Sequence, residues 1–497
     1  MTSHAVIVGS GVGGLATAIR LSVKGYSVDV FEKNSYPGGK LSAFEKGGYL
    51  FDAGPSLFTQ PQNIEELFRI SNRSAESYFR YQSVPVSNHY FFENGKRVKA
   101  WTDLDQFADE LENVVGEPRS NLTSYLKDAE KLYNNIGTIF LNDSLHRART
   151  WMSPRIAKAL FSLRLTYLNS TLHQYNSSRF KTPEAVQIFN RFATYNGSSP
   201  YSTPAMLSLI PHLELNEGTF YPKGGMISIT NALYHLAKDL GVRFHFNSPV
   251  EKILVKDSKA KGVQCGNEKI NADVVVSNMD VYFTYRNLLN DPGGAAQVLK
   301  QERSSSAYIF YWGISTTFPE LDLHNIFFSK NYLKEFEGIF KTGTITEDPT
   351  VYVNITSKME KDQAPEGKEN WFVMVNTPSH RGQNWEELRP KIRKAVTIKL
   401  SRILGKEIEP FIEVEETLDP SAIEQKTASY MGALYGTSSN SKFAAFLRHP
   451  NFTRKISGLY FCGGSVHPGG GIPLCLKSAS ITCDQIPEPT STKTIHH

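Results

Sequence analysis

Strand-length apolar runs meet glycine turns at both ends of the chain, and a stretch with helical periodicity follows each turn. His4-Ala-Val-Ile-Val8 is a short β-branched run ending in Gly9-Ser-Gly-Val-Gly-Gly14, and Leu15 to Lys24 then repeats its apolar positions with the period of a helix. The next apolar run, Tyr26 to Phe31, closes on Glu32, an acidic residue roughly 20 positions beyond the glycines, where a second parallel strand would end. Strand, tight turn, helix and strand make a βαβ unit. In it Gly9 permits the turn, Gly11, with Val12 and Gly13 beside it, brings backbone up to a pyrophosphate, and Gly14 lets the helix pack closely on the strand. The helix N-terminus offers unpaired N–H groups and a positive dipole end to phosphates. Glu32 is placed to accept hydrogen bonds from ribose hydroxyls. Dinucleotide binding is the expectation.

Toward the other end, Gly458 to Cys462 reads as a buried strand and Gly463-Gly-Ser-Val-His-Pro-Gly-Gly-Gly-Ile-Pro-Leu474 as a second glycine turn, feeding a helical stretch from Cys475 to Asp484. Pro473 suits a first helical position, where its missing N–H would have no partner, and three consecutive glycines allow very close approach to a flat ligand. The dipole of the following helix would then face that ligand's electron-rich edge.

Composition narrows the picture further. With 497 residues, 40% of them hydrophobic and 21% charged, the chain can bury a large core in two or three lobes. Its net charge of +5 is spread rather than blocked, which removes nucleic acid as a default partner. Cys265, Cys462, Cys475 and Cys483 show no C-x-x-C pair and no accompanying histidine cluster, so no metal is expected and free thiols are. The first strand begins without a signal-peptide pattern, and no run approaches the roughly 20 apolar residues that span a bilayer. A cytoplasmic protein with peripheral membrane contact at most is the expectation.

The residues after the first unit choose the cofactor. Lys33-Asn-Ser-Tyr-Pro-Gly-Gly-Lys40 follows Glu32 directly, and Gly48-Tyr-Leu-Phe-Asp-Ala-Gly-Pro-Ser56 comes next. This continuation resembles the flavoprotein superfamily that holds amine oxidases and carotenoid desaturases. The resemblance implies FAD, with Lys33 among the cofactor residues, Gly38, Gly39 and Lys40 around the pyrophosphate, and Gly54, Pro55 and Ser56 near the flavin. Lys40 stands where the family usually has Arg, keeping the charge and losing the planar fork. The second glycine motif, Tyr460-Phe through Leu474, closely resembles the signature of bacterial-type phytoene and carotenoid desaturases, which brings Gly463, Gly464, Gly470, Gly471, Ile472 and Pro473 to the cofactor. Phe220 to Gly225 opens a helix, and Val250 to Leu254 and Ala272 to Asn278 look like the adenine-side strands. The likeness covers nearly the whole chain.

The fold it implies is α/β: a Rossmann-like FAD-binding domain of the amine-oxidase and carotenoid-desaturase type, with a substrate-binding sheet domain and a helical cap. The FAD domain would be discontinuous, from 1–70, 220–290 and 455–486. Segments 75–215 and 290–450 would supply the substrate-binding and cap regions, and 487–497 a flexible tail. The implied reaction moves hydride from a carotenoid to flavin N5 and a proton from the neighbouring carbon, leaving a double bond. The hydroxycarotenoid 3,4-desaturase branch is the nearest likeness; a multi-step phytoene desaturase and a carotenoid isomerase are alternatives. An amine oxidase, or a flavin-free binder of prenylated proteins on the same fold, would be a different class, and the latter has no use for the second glycine motif.

Three residues are candidates for polar work near the reaction: His467 inside the second motif, and Arg191 and Tyr195 in Arg191-Phe-Ala-Thr-Tyr-Asn-Gly197, which resembles a family segment facing the substrate cavity. From Leu145 to Leu172, Trp151, Met152, Leu160, Phe161, Leu163, Leu165, Tyr167 and Leu168 alternate with Arg147, Arg149, Arg155, Lys158 and Arg164, a pattern that suits a helix on a membrane surface or one packed on the core. Without a second G-x-G-x-x-G or a redox cysteine pair, oxygen or a membrane quinone is the expected terminal acceptor.

Overall fold

A computed structural model describes residues 3–156, 159, 166–441, 444 and 447–489. Two sheets organise it. The first is parallel and contains β1 (His4–Val8), β2 (Ser27–Phe31), β3 (Arg243–His245), β4 (Val274–Ser277) and β5 (Leu459–Phe461), in the order β5-β4-β1-β2-β3. Three helices cover one face: α1 (Val12–Val23), α2 (Ile227–Asp239) and α3 (Ile472–Cys483). Ile7, Leu15, Ile19, Val28, Leu233, Val276, Leu476 and Ala479 close the layer between them. Strands covered on both faces carry near-continuous β-branched runs, and β1 and β4 do so.

The α1 start is tight. A Cβ on Gly14 would lie 2.2 Å from the Gly9 carbonyl oxygen, so only glycine lets the helix begin there. Helix α3 begins at Ile472, so Pro473 occupies its second position rather than its first. Val250 lies outside any strand. The following strand, Lys252–Lys256, joins a separate antiparallel sheet with Lys259–Cys265 and Glu268–Asn271, whereas the second adenine-side candidate becomes β4 at the heart of the parallel sheet.

The second large sheet has seven strands, in the order Ile412–Leu418, Ser306–Ile314, Glu369–Thr377, Val351–Ile355, His324–Phe327, Val86–Phe91 and Arg97–Trp101. All its pairings are antiparallel except 324–327 against 86–91. Period-two alternation decides its faces. Phe310, Trp312, Trp371 and Val373 pack against the helix Trp385–Leu404, while Ile309, Tyr311, Phe372 and Met374 look into a cavity. Helices Leu104–Val115, Arg119–Leu132, Leu172–Arg179 and Pro183–Asn190 form a cap around Leu111, Tyr125 and Phe189.

Two sequence expectations need correction. Where one long amphipathic helix was expected, Ala148–Trp151 is a single turn, and Arg147 turns inward, with its guanidinium 3.9 Å from the Phe452 ring centroid and bonded to Gln485 at 2.7 Å. Leu160, Phe161, Leu163, Leu165, Lys158 and Arg164 lie outside the described residues. Pro487 and Glu488, counted in the expected tail, are held: Tyr26 donates to the Pro487 carbonyl at 2.9 Å and Lys24 pairs with Glu488 at 3.2 Å, while 490–497 lie outside the described residues. Among the described residues no helix is long and apolar enough to cross a membrane.

Candidate functional site

One cavity of about 910 Å³ runs from the first glycine turn to the seven-stranded sheet. Both glycine turns border it, and α1 and α3 both start there without a side-chain cap. Their first N–H groups have no partner inside the helix, so the cavity receives two positive helix ends. Gly38 donates to the Ser10 carbonyl at 2.8 Å, which pins the Gly38–Gly39 turn beside Gly11. Glu32, 6% exposed, accepts from Ser10 N and Oγ at 2.8 and 2.9 Å through one oxygen and from Asn34 N at 2.9 Å through the other. The second oxygen keeps a lone pair, enough for a ribose hydroxyl. Val250, Lys33 and Asn34 border the same end.

Asn278, just beyond β4, ties the two turns together. Its amide donates to the Cys462 carbonyl at 3.2 Å, and a Cβ on Gly11, Gly13 or Gly463 would run into it at 2.7, 2.8 and 2.4 Å. Thus Gly11 is glycine partly to make room for Asn278, a reason the dinucleotide motif does not contain. Gly54 is held as tightly, since a Cβ there would sit 1.8 Å from the Lys40 carbonyl oxygen. The Lys40 amine donates to the Leu434 carbonyl at 2.8 Å and has one proton free of the Ala433 and Leu434 carbonyls. Burial lowers its pKa to about 8. Arg448, packed behind Gly469 and buried, has its pKa lowered to about 10 by burial and then by Arg303. Two helix ends and two buried cations around glycine backbone suit a flat cofactor with a diphosphate, so these residues fit FAD.

The remainder of the cavity is apolar. Ile309, Tyr311, Phe372 and Met374 from the sheet face Leu207, Ile210 and Leu213, with Ile136 and Phe140 from the cap. A polar group interrupts this wall. Arg191 donates to Tyr90 at 3.0 Å and to Tyr195 at 2.9 Å and pairs with Glu214 at 3.3 Å; Tyr195 donates to Glu214 as well. Glu214 also accepts from Ser87 at 2.9 Å and Asn88 at 2.7 Å. Burial works against the charge on Arg191, but Tyr195, Tyr90 and Glu214 more than offset it, and its pKa rises well above the usual value. Burial, with Glu214, holds Tyr195 well above the ordinary phenol range. Beside this group Tyr352 bonds to Ser56 Oγ at 2.8 Å and to His324 Nδ1 at 2.7 Å.

The structure brings Arg191 and Tyr195 to the cavity but not His467, which lies behind the turn. His467 is fully buried, its Nε2 is 3.0 Å from the Asp143 carbonyl oxygen, and its ring meets those of Phe140 and His146 edge-on. Burial pushes its pKa down to about 4. Glu214, Asn88, Tyr352 and Asn278 escaped the sequence reading. Glu214 carries one visible signal, a lone carboxylate between leucines in His212-Leu-Glu-Leu215; the others carry none.

Comparisons with known proteins agree with this geometry. A 1-hydroxycarotenoid 3,4-desaturase of Flavobacterium sp. (strain P99-3) is 52% identical over 97% of this chain and 99% of its own. A 4,4'-diaponeurosporene oxygenase of Staphylococcus aureus (strain MSSA476) is 31% identical over 98% of each. Among solved structures, putrescine oxidase bound to putrescine superposes with a TM-score of 0.63 at 14% identity, covering 97% of this chain and 98% of that one, which is a likeness of fold. The family model described as flavin containing amine oxidoreductase matches residues 12–487. With both of its glycine turns bordering one cavity, the chain belongs to the flavin containing amine oxidoreductase family and is an FAD-dependent oxidoreductase.

Proposed function

We propose that this oxidoreductase is a carotenoid desaturase acting on a hydroxylated carotenoid at its 3,4 bond. The observation that carries the reading is the 52% identity, spread over 97% of the chain, to a relative of that activity. A cavity with a long apolar wall supports it, because a polyene needs burial along its length. Segments 1–70, 220–290 and 455–486 hold the cofactor, joined by Arg448, and 75–215 with the rest of 290–450 hold the substrate.

Bound FAD supplies the hydride acceptor. The chain's own work is placement: Ile309, Tyr311, Phe372 and Met374 on one side and Leu207, Ile210 and Leu213 on the other keep a rigid polyene in one orientation and exclude water. Arg191 and Tyr195 orient rather than exchange protons, since both pKa values are raised far from neutrality. His467 stays neutral and positions the glycine turn. The substrate enters from a membrane on the cytoplasmic side, near exposed Trp151 and Met152, and electrons leave to oxygen or a membrane quinone.

Expression in cells that accumulate either hydroxylated or non-hydroxylated carotenoids tests this. A red shift with loss of two hydrogens from the hydroxylated pigment is the expected result. Stepwise conversion of colourless phytoene would replace the reading with phytoene desaturation.

A further inference from the structure

The polar group around Glu214 is out of keeping with the wall it interrupts. A buried ion pair gains little over apolar side chains of the same volume, so a purely hydrocarbon substrate gives this cavity no use for one. Asn88, Arg191, Tyr195 and Glu214 all border the cavity. Arg191 is only 7% exposed; its Nη1 gives one of its two protons to Tyr195 and keeps the other, while its buried Nε has no hydrogen-bond partner in the protein. The group therefore presents both an acceptor and a donor with spare capacity, which is what a hydroxyl requires.

Its position is as telling as its chemistry. Tyr352, 2.8 Å from Ser56 Oγ, stands in register with Ile326 on one side, and Tyr90, which accepts from Arg191 at 3.0 Å, stands in register with Ile326 on the other. The group thus adjoins the Gly54–Ser56 turn rather than the remote end of the cavity. In a 1-hydroxycarotenoid desaturated between C3 and C4, only C1 and C2 separate the hydroxyl oxygen from the nearer reacting carbon. A site for that hydroxyl must sit beside the reacting bond.

We propose that Glu214, with Arg191 and Tyr195, forms a hydroxyl-binding subsite that fixes the substrate's end group: the Glu214 carboxylate accepts the hydroxyl's hydrogen bond and the Arg191 guanidinium donates one to its oxygen. This rests on the 3,4-desaturase reading and deepens it. An end group without the hydroxyl covers the ion pair with hydrocarbon and returns no hydrogen bond, so it binds less well.

The test uses the full-length, FAD-loaded enzyme in liposomes, with a 1-hydroxylated acyclic carotenoid and the same carotenoid lacking the hydroxyl. Wild type is expected to favour the hydroxylated substrate in kcat/KM by about tenfold or more, and Glu214→Gln to shrink that preference to about threefold or less, chiefly through KM. Flavin content and melting temperature report whether each variant is folded. Tyr195→Phe removes one hydroxyl from the group, is expected to move the preference the same way by less, and serves if Glu214→Gln does not fold. A wild-type preference kept by folded, flavin-loaded variants overturns the subsite, and so does an equal loss on both substrates, the mark of a merely structural network. Wild type inert on both substrates fails earlier, removing the desaturase reading and the subsite with it.

Discussion

The two ends of the cavity are built by opposite means. At the cofactor end the backbone does the recognising: α1 and α3 aim their N-termini inward, and Gly14 and Gly54 are fixed by carbonyl oxygens 2.2 and 1.8 Å from where a Cβ would stand. At the substrate end, which meets the cofactor end at the Gly54–Ser56 turn, side chains from far-apart segments do it: Asn88, Arg191, Glu214 and Tyr352 meet only after folding. An end made of backbone tolerates no added atom, whereas an end made of side chains can be retuned one group at a time.

The sharpest way to break this contrast is to add a methyl group at the backbone end. Gly54→Ala is expected to cost about 3 kcal/mol or more, because backbone must move, and to leave protein purified with less than about a tenth of its flavin; absorbance at the flavin band against total protein checks it. A variant with full flavin would show that the Lys40 carbonyl yields easily.

A change of comparable size but opposite logic belongs to the substrate end. Arg191→Met leaves Glu214 buried without its ion-pair partner and is expected to destabilise by about 3–5 kcal/mol, while Arg191→Met combined with Glu214→Gln recovers a large part of that. Urea midpoints of the wild type and the two variants measure it. Equal stability of the single and double variants would mean that the pair is not coupled.

Acid acts on both sides of the cavity. Burial pushes His324, His449 and His467 down to about 3, 4 and 4 from an ordinary 6.5. Below pH 6.5 the unfolded chain takes up protons that the native chain refuses, so stability falls as pH drops and levels off once the folded values are passed, by about 1.4 kcal/mol per pH unit for each histidine. Asp52 works in the other direction: burial raises it to about 6 while it accepts from Met226 N and Ile227 N, so its share is lost as pH rises toward 6. Histidines outnumber it, and melting temperature should fall between pH 6.5 and 4. His467→Gln should flatten that slope by one proton's worth.

The smallest expected effect lies outside the cavity. Trp151 is 51% exposed and Met152 82%. Replacing both by Ala should weaken co-flotation with anionic liposomes about threefold to tenfold, at roughly 1 kcal/mol for the lost apolar contact. Unchanged flotation would leave Trp151 and Met152 without a part in membrane contact.

What the sequence made legible follows the same division. The α/β class, the flavin and both glycine turns could be read because each turn's physics is contained in a dozen contiguous residues, strand before and helix after. Glu214 and Tyr352 could not, since nothing near them in the chain announces Arg191 or Ser56. Asn278 stood in plain view after a strand, yet its role against Gly11, Gly13 and Gly463 depends on two turns meeting in space. His467 misled for the converse reason: proximity in sequence to the glycines places it behind the turn. The stretch at 145–172 showed helical periodicity, but Arg147 found Phe452 and Gln485 and turned away from solvent.

The strand order β5-β4-β1-β2-β3 sets a schedule for assembly. β1, the earliest of the five strands in sequence, stands in the middle of its sheet, and the latest, Leu459–Phe461, stands at one border. Until the ribosome has released that segment with Asn278's partner Cys462 and the helix behind it, the cofactor cradle has one wall. Flavin capture therefore waits for that segment, and a chain stopped short of residue 458 emerges with its hydrophobic layer open, a client for chaperones rather than a weakened enzyme.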